Sequence, residues 1–140
     1  MQVTFLLAKW AEQHKAEGTF SAEHAGLSVY GFPPDEQRST VRVYAVFQAC
    51  ADVGDGGLHS RSFHVIDGNG QKVVDVKPEE FRLRDMPGFR VTEVMWMDVP
   101  TVDASYSCIL TIDSDRTYTQ DLRIVRADEE QLRKLRSGAK

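Results

Sequence analysis

The chain has 140 residues, 41% of them apolar and 27% charged, with a formal net charge of -4; this balance predicts one soluble domain and excludes a multidomain machine. At this mass folding should bury roughly two-thirds of the unfolded surface, so neither a disulfide nor a cofactor is needed to complete a core. A dispersed acidic excess, with pI near 5.5, argues against affinity from phosphate neutralisation, and nucleic acid is not an expected partner.

The first apolar run, Val3 to Ala8, is too short to cross a bilayer and follows no basic stretch or cleavage site, which predicts a cytoplasmic protein with no membrane span. Gln2 to Ala8 reads as a strand buried on both sides, well inside a sheet. Lys9 to Glu17 reads as a loop with a turn of helix, since Trp10, Ala11 and His14 can share one face and Gly18 ends it. Thr19 to Ala22 and Leu27 to Phe32 read as strands around Gly26, and Pro33-Pro34-Asp35 stops the ladder because neither proline has an N–H.

Ser39 to Cys50 is the clearest strand, with Val41, Val43, Ala45, Phe47 and Ala49 on the core face. Gly54 to Gly57 suits a hairpin into His59 to Asp67, and Asp67-Gly68-Asn69-Gly70 turns the chain into Gln71 to Val76, giving an expected three-stranded meander. A short edge strand is expected at Phe81 to Leu83 after Pro78, then a long strand at Phe89 to Val99 that Pro100 ends. Ser105 to Ile112 and Thr117 to Val125 form a last hairpin. Asp128 is placed to cap a helix with basic residues near its end and Gly138 beyond, supported by the pairs Glu129–Arg133 and Glu130–Lys134 and by an apolar edge of Leu132 and Leu135. A frayed tail is the competing reading of that segment.

Eight or nine short strands imply an all-β fold of two packed sheets, an immunoglobulin-like antiparallel β-sandwich over residues 1–126, followed by a short C-terminal helix or tail over 127–140. Tyr106, two residues before Cys108, fits a tyrosine corner, but Phe63, His64 and Val65 stand where an antibody-type domain places its Trp. Cys50 and Cys108 are therefore read as buried thiols rather than an intersheet disulfide.

Phe5-Leu6-Leu7-Ala8 with Ala11-Glu12, then Gly18, Gly31-Phe32-Pro33, Val65 to Gln71 and Tyr106 to Asp113, resemble a family of small uncharacterised bacterial β-sandwich proteins over roughly residues 2–125. Lys9 to Gly18 departs from the shorter turn of that pattern. The resemblance implies a cytoplasmic sandwich and no established activity, and it assigns no functional residue.

Asp52, Asp55, Asp67, Asn69, Asp113 and Asp115 all fall in turns, so a loop-based calcium or small-ligand site is the alternative function to weigh. Against it, Lys72 stands where an EF-hand loop needs Gly and Pro78 where it needs Glu, and Asp and Asn are ordinary turn residues. His14, His24, His59 and His64 have no metal-ligand spacing, and the odd separation of His59 and His64 puts them on opposite faces of one strand. Ser60, Ser62 and His64 share a face of a regular strand, which lacks the turn that exposes a nucleophile, and Gly54 to Gly57 has neither the Lys nor the helix of a phosphate loop. An enzyme is not expected. Arg82, Arg84 and Arg90 are interrupted by Glu79, Glu80 and Asp85 and read as a mixed solvated edge, and the C-terminal basic residues lack interleaved aromatics.

Large apolar side chains occupy both faces of Phe89 to Val99: Val94 and Trp96 against Phe89, Val91, Met95 and Met97. Either the strand is central and covered by Lys9 to Glu17 or the C-terminal helix, or Met95, Trp96 or Met97 forms an exposed patch for a second subunit or another protein. The resulting expectation is a non-enzymatic interaction or assembly module with a protein partner or self-association.

Overall fold

The computed structural model describes residues 1–136. Its elements are β1 (Gln2–Ala8), β2 (Trp10–His14), β3 (Thr19–Glu23), β4 (Val29–Phe32), β5 (Thr40–Cys50), β6 (Gly57–Asp67), β7 (Lys72–Leu83), β8 (Arg90–Pro100), β9 (Ala104–Ile112), β10 (Arg116–Arg126) and α1 (Glu129–Arg136). Three strands in the order β1-β5-β8 form one sheet, five in the order β4-β10-β9-β6-β7 form the other, and β2 pairs with β3 alone. Every pairing is antiparallel except β4 with β10, which is parallel. The fold is an all-β sandwich with a short helix near the C-terminus.

Strict alternation creates the single core. Phe5 and Leu7 of β1, the odd-numbered residues of β5 from Val41 to Ala49, and Met97 and Val99 of β8 face Phe63, Val65, Cys108, Leu110, Ile112, Leu122 and Ile124 of the larger sheet. Phe5 meets Phe63 edge to face across the sheets at 6.1 Å between ring centres, and Phe47 meets Phe81 at 5.4 Å. Each fully buried Phe or Leu contributes roughly 1.5–3 kcal/mol relative to exposure.

Several expectations from the sequence are corrected. β1 is an edge strand, with Thr4 exposed and the Phe5 carbonyl accepting from Gln120 Nε2 at 3.0 Å. Lys9 to Glu17 holds a strand, β2, because pairing Trp10–His14 with Thr19–Glu23 satisfies backbone groups that a loop would leave to solvent. β5 and β6 belong to different sheets, so the chain crosses the sandwich between them and no three-stranded meander forms.

Lys72–Leu83 is one strand that runs through Pro78. It lies at a sheet edge, and the register shift between Arg61 and Phe63 places Pro78 in a bulge where its missing N–H costs no ladder bond. β8 is an edge strand, not a central one. At the C-terminus Asp128 Oδ1 accepts from the Gln131 N–H (2.8 Å), while Gln131 Oε1 accepts from the Asp128 N–H (3.0 Å), a reciprocal capping box. Leu132 seats on Gly31, where an added Cβ would come within 2.1 Å. Lys134 and Glu130 approach to 3.7 Å. The roles expected of Leu135, Gly138 and the Glu129 side chain lie outside the described residues.

Cys50 lies on the outer face of the smaller sheet and Cys108 faces the core of the larger one, so both thiols are free. Burial pushes the Cys108 thiol up to about 12.

Among the described residues one charge lies inside the sandwich. Arg61 continues the inward face of Phe63 and Val65, is 4% exposed, and reaches across the gap between β7 and β8. Its Nη1 donates to the Lys77 carbonyl at 3.0 Å, and its Nη2 pairs with Glu79 at 3.1 Å and with Glu93 of β8. Nε has no partner. Glu79 keeps its solvent access, but removing Arg61 leaves half-buried Glu93 and the Lys77 carbonyl without their partner and opens a void, so Arg61→Ala should lower the unfolding free energy by about 3 kcal/mol, and Arg61→Met, which refills the volume, should lose less. Urea denaturation of the two variants checks this; a larger loss for Arg61→Met would overturn it.

Candidate functional site

The outer face of the smaller sheet is built from even-numbered residues, which the register sets in cross-strand rows: Thr4, Gln48 and Thr92; Leu6, Val46 and Val94; Ala8, Tyr44 and Trp96. The β2–β3 hairpin lies across the first two rows. Gly18, at its tip, accepts through its carbonyl from Gln48 Nε2 (3.0 Å) and Thr92 Oγ1 (2.5 Å). A glycine is required there, because φ is +67° and a Cβ would stand 2.8 Å from the Arg90 carbonyl oxygen. Val46 is fully buried as a result.

In the third row Ala8 is fully buried and Tyr44 half-buried, but Trp96, at the β8 end of the row, is 58% exposed. Its ring is held by a cation: the Arg42 guanidinium lies over the ring, 5.4 Å from its centre, and donates a fork to Asp98, Nε to Oδ1 at 3.0 Å and Nη2 to Oδ2 at 3.4 Å. The Arg42 hydrogen bond holds the Asp98 carboxyl below its ordinary range. Trp96 thus presents an oriented indole face in a locally neutral setting. Met95 and Met97, its neighbours and fellow candidates from the sequence, are 8% and 3% exposed. They are corrected to core residues, because odd positions of β8 point between the sheets and cannot reach a partner.

Beside Trp96 runs a bare backbone edge. The bonds Ala51 N–H to Phe89 O (2.8 Å) and Thr101 N–H to Ser39 O (3.1 Å) flank an unbroken β5–β8 register, so odd residues of β8 bond to β5 and even ones point their N–H and C=O away. Gln13 Oε1 takes the Val94 N–H at 3.3 Å. Among the described residues, the next outward N–H groups, those of Trp96 and Asp98, have no such side-chain partner.

The loop carboxylates are divided and mostly engaged. Asp67 sits at the opposite end of β6 from Asp55, and its Oδ1 accepts from the Asn69 and Gln71 N–H groups of its own turn. Asp55 lies 2.5 Å from the Met1 ammonium. Asp113 Oδ1 accepts from the Ser60 N–H (2.9 Å) and its Oδ2 lies 2.7 Å from His59 Nδ1. Among the described residues no group of three or more His, Cys, Asp or Glu is placed to hold a metal.

His59 itself ties two loops, with Nε2 2.7 Å from the Asp55 carbonyl and its ring stacked on Phe81 at 5.6 Å. Both nitrogens face acceptors, an arrangement only the imidazolium satisfies with two N–H donors. Burial works against that charge, but the bonds to Asp113 and the Asp55 carbonyl and the two carboxylate charges outweigh it, and the His59 pKa is raised. Ser60, Ser62 and His64 are half-buried on the other face of β6. Of the basic residues, Arg126 is spent on the carbonyls of Pro34 (2.8 Å) and Thr101 (3.1 Å), and Arg84 lies over Phe89.

Arg61 and the His59–Asp113 pair carry little sequence signal. Arg61 was visible only as a charged residue in phase with Phe63 and Val65, and Asp113 is 54 positions from His59.

No family model and no curated protein matches the chain. Among solved structures, the X-ray structure of Northeast Structural Genomics Consortium target SoR45 is similar at 10% identity, covering 89% of this chain and 85% of that chain, with a TM-score of 0.38. No helix among the described residues is long and apolar enough to cross a membrane.

Two measurements test the geometry. Met97→Ala opens a void in the core and should cost about 2–5 kcal/mol, whereas Trp96→Ala removes an exposed ring and should cost about 1 kcal/mol or less, chiefly the Arg42 contact; denaturant melts that rank them the other way would place Trp96 in the core. The folded state binds a proton at His59 more tightly than the unfolded state, so the stability it adds is complete below the unfolded value near 6.5 and is lost as pH rises through the folded value. The stability gap between wild type and His59→Gln should therefore narrow with rising pH above that point; a constant gap would show that His59 folds uncharged.

Proposed function

We propose that this chain is a non-enzymatic protein-interaction or assembly module of the bacterial cytoplasm, built on an immunoglobulin-like sandwich. The observation that carries the reading is Trp96, exposed on a sheet face, oriented by Arg42 and bordered by an open strand edge. Tryptophan and arginine are enriched among residues that dominate binding energy, and a rigid aromatic anchor loses little entropy on docking. The order β10-β9-β6-β7 opposite β1-β5-β8, with β4 added parallel to β10, supports the immunoglobulin-like part of the reading. The non-enzymatic part draws support from His59, whose two nitrogens are engaged, and from Cys108, where burial keeps the thiol in the neutral, unreactive form near pH 7.

Tagged wild type and Trp96→Ala are to be compared in native lysate at low and high salt. Wild type should retain a stoichiometric protein, itself or another, through high salt because the contact is largely apolar. Trp96→Ala should lose it while staying folded, with a melting temperature lowered by no more than about 5 °C. Equal retention by the two proteins overturns the proposal.

A further inference from the structure

The four sheet edges of the sandwich are protected unequally. On β1 the Phe5 carbonyl is taken by Gln120. β7 is broken by two register shifts, carries Pro78, and is lined by charges of both signs. β4 has only four residues, with α1 packed against Gly31. β8 is covered at Val94 by Gln13 and ends at Pro100, which has no N–H; between them Trp96 and Asp98 leave their N–H and C=O groups open. Exposed edges are templates for strand addition, and proteins usually blunt them. This one is blunted on both flanks and open in the middle.

We infer that the occupant of the Trp96 surface is a second copy of this chain, pairing antiparallel with β8 edge to edge about a two-fold axis at Met97; this rests on the interaction reading above. The open window is symmetric about Met97. With Met97 opposite its own copy, Trp96 of each protomer stands opposite Asp98 of the other, and each such pair exchanges two backbone hydrogen bonds. The next pair sets Val94, whose N–H is already taken, against Pro100, which has none to give.

The side chains are self-complementary in the same register. Asp98 of one protomer comes opposite the ring that Arg42 of the other already stacks on, bringing two cations and two anions into alternation. The two Trp96 rings become diagonal cross-strand neighbours, within aromatic reach. A strongly basic or acidic partner finds no such match, because Arg42 and Asp98 leave the patch neutral. The result is a continuous six-stranded sheet, β1-β5-β8 followed by its two-fold copy.

Sedimentation velocity over a concentration series, with amide hydrogen exchange on the same samples, tests this. The expected result is reversible doubling of the 15.8 kDa mass, with protection of the Trp96 and Asp98 amides rising as dimer forms. Asp98→Pro removes an N–H that the monomer does not use and should weaken association by about tenfold or more; Asp98→Ala keeps the N–H and should weaken it less. The exchange measurement needs no variant, so a folding defect in Asp98→Pro leaves the test intact. A dimer with unprotected Trp96 and Asp98 amides overturns the inferred register. A monomer at every concentration that still captures another protein through Trp96 overturns self-pairing and spares the interaction reading. A monomer with no Trp96-dependent capture overturns both.

Discussion

Strand β5 pairs with β1 on one side and β8 on the other without a bulge, and the parity of that pairing decides where every side chain of the smaller sheet points. A slip of one residue would turn Val41, Val43, Ala45, Phe47 and Ala49 outward and draw Arg42, Tyr44 and Gln48 into the core, so the register is held by the whole apolar face at once. From the same parity follow the inward methionines of β8, the outward Trp96, and the set of backbone groups that no other strand completes. The candidate surface is thus a consequence of core packing, not an addition to it.

The second constraint is the disposal of polar groups at the margins. A sandwich of three strands on five has sides that cannot close by pairing, and each is closed differently. On one side Gln120 reaches from β10 to the β1 backbone; on the other Arg61 extends from inside the core to Glu79 and Glu93. A buried arginine contributes little net stability once its desolvation is counted, but it specifies which edges face each other, because an apolar residue there would pack against β7 and β8 without preference. The β2–β3 hairpin performs the same task on the outer face, where Gly18 brings one carbonyl to both Gln48 and Thr92.

At the end of the sandwich that holds the β5–β6 loop and the β9–β10 turn, His59 draws together groups that are remote in sequence. Asp113 adopts a left-handed conformation with φ of 53°, a strained position for a residue other than glycine, and its bonds to His59 and to the Ser60 N–H compensate that strain. These carboxylates complete local structure, which is why the Asp-rich turns at this end form no shared cation cage among the described residues.

Much of the fold was legible in the sequence. The alternation in Thr40–Cys50, Ala104–Ile112 and Arg116–Arg126 named their strands and core faces, and Asp128 marked the helix start, because period and capping are local properties of the chain. The polar-apolar alternation of Trp10–His14 was too weak to identify β2, and Pro78 looked like a stop because only an edge position makes it harmless. For the candidate surface, sequence separated Trp96 from Met95 and Met97 by parity, and that separation is intrinsic to any strand. Which of the two faces lies against the core, how far the hairpin covers the other, and that β8 ends a sheet instead of running through its middle were decided by tertiary structure alone, since burial and edge position depend on strands distant in sequence that a local pattern does not name.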